Sequence, residues 1–174
     1  MKTLGLIAVK QNSNRFPGKN LHEIDGAPMF WHNVQALLDS DYIDDVYVAT
    51  DSDFIKKYCL DRDVPIVCRG PNTSIDEQPI FDILKFAYFA IHKDYDMVVT
   101  ILPNTIGHNT GDVDRCVKLM ISTGCREVRS FDREGRETGI LGLCRDVMLW
   151  ERTLSAYLGC IITSGREIHY EHEL

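Results

Sequence analysis

The chain has 174 residues, of which 44% are hydrophobic, enough to fill the core of one domain spanning residues 1–174. Its formal net charge of -7 argues against a broad nucleic-acid or membrane surface, because no excess of Lys and Arg is available to neutralise phosphates across a face. Six cysteines (Cys59, Cys68, Cys116, Cys125, Cys144 and Cys160) lack the paired spacing of a zinc site and read as buried, reduced thiols.

The first element in chain order is the apolar run Leu4 to Val9, which predicts a strand. It is too short for a membrane span or a signal-peptide core, so a cytoplasmic protein is expected. The run empties into a polar loop, Lys10-Gln11-Asn12-Ser13-Asn14-Arg15-Phe16-Pro17-Gly18-Lys19-Asn20. Lys10, Arg15 and Lys19 supply cations, Gln11, Asn12, Ser13 and Asn20 supply neutral hydrogen bonds, and Pro17 and Gly18 shape the turn. A strand, such a loop and then a helix is how α/β proteins grip a phosphate chain. The loop is neither a P-loop nor a Gly-x-Gly-x-x-Gly fingerprint, and a solvated turn is the alternative.

After Pro28, Phe30, Val34, Leu37 and Leu38 fall on one face of a predicted helix. A strand over Val46 to Thr50, a helix from about Ser52 and Asp53, and a strand over Pro65 to Val67 follow. A helix from Pro79 to His92 carries the stripe Ile80, Ile83, Leu84, Ala87 and Ile91, and Met97 to Leu102 is the next strand. The helix after Asn109-Thr110 places Val113, Val117, Met120 and Ile121 at helical spacing and stops at Gly124. Beyond Arg126 the pattern weakens into strands over Glu127 to Phe131, Ile140 to Arg145 and Gly159 to Thr163, with a short helix near Met148 to Leu154. Regular alternation implies right-handed crossovers and a three-layer α/β/α fold with a mostly parallel, Rossmann-like sheet. In such a fold the ligand site lies at the carboxyl ends of the strands, where the Lys10 to Asn20 loop sits.

The run from Ile7 through Lys19-Asn20-Leu21 to Ile24-Asp25-Gly26-Ala27-Pro28 resembles the start of the acylneuraminate cytidylyltransferases, which join acidic sugars to CMP. Val46-Tyr47-Val48-Ala49-Thr50-Asp51 is similar to that family's second strand end, and Arg69 and Asp76 stand at matching positions. The resemblance implies a fold of the nucleotide-diphospho-sugar transferase type. It also implies attack of a sugar hydroxyl on the α-phosphorus of CTP with pyrophosphate leaving, and a divalent metal, Mg²⁺ or Mn²⁺, to offset phosphate charge. Lys10, where the family has an arginine, and Lys19 become the catalytic residues, binding the triphosphate and stabilising the leaving pyrophosphate. Gln11, Asn12, Ser13, Arg15 and Asp76 join them in nucleotide binding, with Asn20 and Arg69 toward the nucleoside. The implied partners are CTP and a sugar substrate. A homodimer is common in the family, although the short stretch from Arg129 to Ser155 leaves little to pair.

Three segments depart from the family pattern. Where the family reads Leu-Gln-Pro-Thr-Ser-Pro-Leu-Arg, this chain has Ile101-Leu102-Pro103-Asn104-Thr105-Ile106-Gly107-His108, so Leu102 and His108 replace two polar groups that face the sugar. Asn104 and Thr105 are the substrate-binding candidates in their stead. Leu158 replaces an asparagine ahead of the last strand. Glu167 and His169 fall on the two aspartates of an Asp-Ile-Asp metal motif, where a histidine suits Mn²⁺ better than Mg²⁺; a solvated tail is the competing reading of this segment. Asp51 is either a ligand or the cap of the following helix. Two other functions stay open: a nucleotide-binding homologue without transfer activity, and a glycosyltransferase-like binder of intact nucleotide sugars, for which Asp51-Ser52-Asp53 supplies an Asp-x-Asp at a strand end.

Overall fold

In the computed structural model, which describes residues 1–10, 16–69, 79–150 and 157–173, the short apolar runs line up in one sheet. The chain begins with β1 (Thr3–Val9), a small ribbon of β2 (Glu23–Ile24) and β3 (Ala27–Pro28), then α1 (Met29–Leu38), β4 (Asp45–Thr50), α2 (Asp53–Leu60) and β5 (Ile66–Cys68). It continues through α3 (Ile80–Ile91), β6 (Met97–Ile101), β7 (Thr105–Ile106), α4 (Thr110–Thr123), β8 (Glu127–Phe131) and β9 (Glu137–Cys144). The final elements are α5 (Arg145–Trp150), β10 (Leu158–Ile162) and β11 (Arg166–Glu167).

The main sheet has the order β10-β8-β9-β6-β1-β4-β5. Strand β9 runs antiparallel to both its neighbours, and the other pairings are parallel. The three-layer, mostly parallel expectation is therefore met, with one reversed strand that local pattern did not reveal. Every residue of β1 is buried, which is why it reads as an unbroken apolar run. Its side chains alternate between two cores. Ile7 and Val9 pack with Phe30, Val34 and Leu37 of α1 and Val113, Val117 and Met120 of α4, whereas Leu4, Leu6 and Ala8 pack with Ile83, Leu84 and Ala87 of α3 and Val147 and Met148 of α5.

Several boundaries differ from expectation. Leu38 is 41% exposed and Ile121 51% exposed, so each lies beyond the edge of its helix's buried stripe. Strand β9 starts at Glu137, and α5 runs from Arg145 to Trp150; the rest of the helix expected near Met148 to Leu154 lies outside the described residues. Only Cys59, Cys116 and Cys125 are buried, and Cys68 and Cys160 are exposed. Burial pushes the Cys116 thiol up to about 12, which keeps it in the inert thiol form. Among the described residues, no helix is long and apolar enough to cross a membrane.

The topology places the site. From β1 the chain steps to β4 and β5 on one side, then returns to β6 on the other, so strand order reverses between β1 and β6. A crevice opens at the carboxyl ends of two such strands.

Candidate active site

At the end of β1, Gly18 adopts φ 73°, a left-handed conformation that glycine takes without strain, and starts the single-turn 3-10 helix Lys19–Leu21. Asn20 on this turn is 5% exposed, and its Nδ2 donates to the Lys10 carbonyl at 3.1 Å, tying the two ends of the loop together. Its Oδ1 is buried and makes no hydrogen bond among the described residues. Gln11, Asn12, Ser13, Arg15 and Asp76 lie outside the described residues.

Arg69 follows β5, and its backbone N–H donates to the Thr50 carbonyl at 3.0 Å, which holds it at the same sheet end. Burial pulls its guanidinium pKa below the ordinary value, and the charge of Asp51 partly offsets this. Ser52, not Asp51, caps α2: its Oγ accepts from the Ile55 N–H at 3.4 Å. The charge of Asp51 acts on Arg69 and also on Lys56 of α2.

The segment after β6 is a tight turn. The Thr105 N–H and hydroxyl both donate to the Leu102 carbonyl, at 3.1 and 2.7 Å, and Thr105 is 0% exposed. Its hydroxyl is held inside the turn. Asn104 projects the other way, and its Nδ2 donates to the Ile168 carbonyl at 3.3 Å and to Glu167 Oε2 at 3.5 Å.

Residues 166–168 pack back on the domain, against the solvated-tail alternative, whereas Tyr170, Glu171 and His172 are exposed. Strand β11 pairs antiparallel with β7, and the Ile168 N–H donates to the Asn104 carbonyl at 2.7 Å. Ile168 is 0% exposed. Beyond it, Glu173 Oε2 accepts from the His169 and Tyr170 N–H groups at 2.6 and 2.7 Å, and these bonds hold the Glu173 carboxyl below the usual range. Lys19 Nζ also donates to the Ile168 carbonyl, at 3.3 Å. Lys19, Asn104 and the C-terminal pair Glu167 and His169 therefore meet around one peptide group.

His169 Nε2 stands 3.2 Å from Glu167 Oε2. Among the described residues no group of three or more His, Cys, Asp or Glu side chains is placed to hold a metal ion by itself. One carboxylate and one imidazole still suit an ion that takes its remaining ligands from substrate phosphates and water.

His108, at the position of a family arginine, does not face this crevice. Its imidazole is 0% exposed and donates from Nε2 to the Thr138 carbonyl at 2.5 Å. A Cβ added at Gly165 would overlap the ring, so the glycine backbone stands close against it. Two contributors were missed by sequence reading. Asn33 of α1 donates into the Leu102–Thr105 turn, and Gly165 makes room for His108. A lone asparagine among apolar helix positions was the only sequence signal for the first.

Residues 4–109 match the sequence model of the family described as cytidylyltransferase. The chain belongs to the cytidylyltransferase family. This cytidylyltransferase-family chain is 34% identical over 148 residues to an N-acylneuraminate cytidylyltransferase of Streptococcus agalactiae serotype III, a match covering 84% of the chain and 36% of that relative. It is 44% identical over 117 residues to a 3-deoxy-manno-octulosonate cytidylyltransferase of Hydrogenovibrio crunogenus, covering 67% of the chain and 46% of the relative. The chain thus spans less than half the length of these curated relatives. Among solved structures, CMP:2-keto-3-deoxy-manno-octonic acid synthetase complexed with CTP superposes with a TM-score of 0.79 at 14% identity, covering 99% of this chain and 95% of that one. A Mycobacterium tuberculosis protein in complex with manganese gives 0.70 at 9% identity, covering 94% and 89%. At these identities the likeness is one of fold.

Proposed function

We propose that the chain transfers CMP from CTP to an acidic sugar and releases pyrophosphate. The observation that carries this reading is the meeting of Lys19, Asn104, Glu167 and His169 around the Ile168 carbonyl, at the crevice between β1 and β6. A loop cation, a neutral amide and a carboxylate–imidazole pair from three separate segments converge where a nucleotide binds in such folds.

In this reading the triphosphate lies along the loop from Lys10 to Asn20. Lys10, Arg15 and Lys19 neutralise its charge, with Gln11, Asn12 and Ser13 adding hydrogen bonds. Lys10 and Lys19 stabilise the pyrophosphate as the sugar's anomeric hydroxyl attacks the α-phosphorus and the bond to the β-phosphate oxygen breaks. Asn20, with a buried acceptor, and Arg69 with Asp76 hold the nucleoside. Asn104 faces the sugar, and Thr105 holds the turn that presents it. Glu167 and His169 would bind the divalent ion, which supplies charge neutralisation on the phosphates. The imidazole makes Mn²⁺ a better fit than Mg²⁺.

The test is incubation of the purified protein with CTP, Mg²⁺ or Mn²⁺, and a panel of acylneuraminates and 2-keto-3-deoxy sugar acids, measuring pyrophosphate and CMP-sugar by mass. One or more sugars should give equimolar products, with less from Lys19→Ala. Binding of CTP without pyrophosphate release for any sugar and metal would contradict transfer.

A further inference from the structure

Asn33 is 1% exposed on a helix whose other inward residues, Phe30, Val34 and Leu37, are apolar. An amide buried there costs free energy unless its polar atoms find partners. Nδ2 has them: it donates to the Leu102 carbonyl at 3.1 Å, the Thr105 carbonyl at 2.9 Å and Thr105 Oγ1 at 3.3 Å. Two of those acceptors are carbonyl oxygens that cannot donate, so the amide nitrogen must face them and the orientation is fixed. Oδ1 makes no hydrogen bond among the described residues, a cost that an apolar residue of similar shape would avoid.

The donor bonds close on a single turn, Leu102 to Thr105, and the next step is outward. Asn104 sits in that turn and grips the C-terminal segment twice, through its carbonyl to the Ile168 N–H and through its side chain to the Ile168 carbonyl. The Ile168 carbonyl also receives Lys19 Nζ, and Glu167 and His169 flank Ile168. We propose that Asn33 is a positioning residue for the active site. By fixing the 102–105 turn, it sets where Asn104 holds the C-terminal segment, and hence where Glu167, His169 and the Lys19 ammonium stand relative to one another. It touches no substrate itself.

Two readouts test this. The first is amide hydrogen exchange in Asn33→Ala, Asn33→Ser and Thr105→Val, the last deleting the hydroxyl that Asn33 and Leu102 share while keeping the side chain's shape. Exchange at Ile168 should rise roughly tenfold more than exchange at the β1 amides, which report global opening. Asn33→Ser, keeping one donor, should fall between wild type and Asn33→Ala. If Asn33→Ala does not fold, Asn33→Ser and Thr105→Val decide. Equal rises at Ile168 and β1 in the folded variants would overturn the proposal and leave Asn33 as core packing only. The second readout rests on the proposed transfer reaction: because Lys19, Glu167 and His169 act on the triphosphate and its ion, KM for CTP should rise roughly tenfold in Asn33→Ala, with Asn33→Ser between it and wild type. Folded variants with KM for CTP unchanged would count against positioning. Because exchange needs no turnover, failure of the transfer reading and failure of this one are separable.

Discussion

Replacing Gly165 with alanine tests how tightly the C-terminal segment is seated. A Cβ at this position would fall far inside contact distance of His108 Cε1 and Nε2, and 2.6 Å from Nδ1. Ordinary carbon contacts lie at about 3.5–4.0 Å, so ring and backbone must part by roughly 1 Å or more. The ring has little room to yield, since Nε2 is anchored to the Thr138 carbonyl at 2.5 Å and the imidazole is fully buried. The backbone has little either. A Cβ on neighbouring Gly107 would already stand 3.0 Å from the Ser164 carbonyl, so the two segments run in close approach here. Overpacking of this kind costs about 1–3 kcal/mol. For a chain of this size each kcal/mol moves Tm by about 2–4 °C, so Gly165→Ala should melt several degrees below wild type. The assay is thermal unfolding of the two single variants, Gly165→Ala and His108→Ala, and their double mutant. Removing the ring should relieve the alanine, with a coupling of about 1 kcal/mol or more. A Gly165→Ala variant as stable as wild type, or a double mutant equal to the sum of the singles, would refute the packing argument.

Three further outcomes follow from the same structure. Asp112 closes the capping box of α4 with Asn109; burial alone would raise its carboxyl, but the His108 imidazole 3.7 Å away, the hydrogen bond from the Asn109 N–H and the Arg115 guanidinium hold it below the ordinary range. Its contribution is therefore complete above the unfolded aspartate pKa and is lost as pH falls through the lower folded value. Asp112→Asn should cost about 1 kcal/mol at neutral pH, and urea titrations should show the gap to wild type closing below about pH 4; a gap independent of pH would refute the assignment. At Gly142 on β9 an added Cβ would meet Cys116 Sγ at 2.6 Å and Met120 Sδ at 2.8 Å, so Gly142→Ala should lose about 1–3 kcal/mol in denaturant unfolding, and an unchanged midpoint would show that α4 can shift. His169→Asp should move the preference for divalent metal in pyrophosphate release from Mn²⁺ toward Mg²⁺, and an unchanged ratio would remove His169 from the metal site.

The layers were legible because burial on both faces leaves a plain mark: β1 is uninterrupted in sequence as it is in the sheet. Strand direction leaves none, so β9 read as a strand without its reversal. Helical periodicity found the stripes of α1 and α4 but not their edges, which is where Leu38 and Ile121 lie. The loop cations Lys10 and Lys19 could be read from charge and their place after β1. The residues that organise the site around Lys19 could not, because their partners are distant in the chain: Asn33 bonds to Leu102 and Thr105, and Gly165 serves His108. The ribbon of β7 and β11 has two residues on each side, too few to show a period. In the charged C-terminal segment, the single buried Ile168 was the anchor that composition hid.

The central claim is a CTP site built on the loop after β1, and ligand-induced stabilisation measures it directly. With a divalent ion present, CTP at about one hundred times its Kd should stabilise the chain by about 2.7 kcal/mol, a Tm rise of several degrees. ATP, GTP and UTP should give little at the same concentration, and Lys19→Ala should lose most of the CTP shift while keeping its own unliganded Tm near wild type. An equal response to all four nucleotides, or a CTP shift that Lys19→Ala leaves intact, would contradict the account.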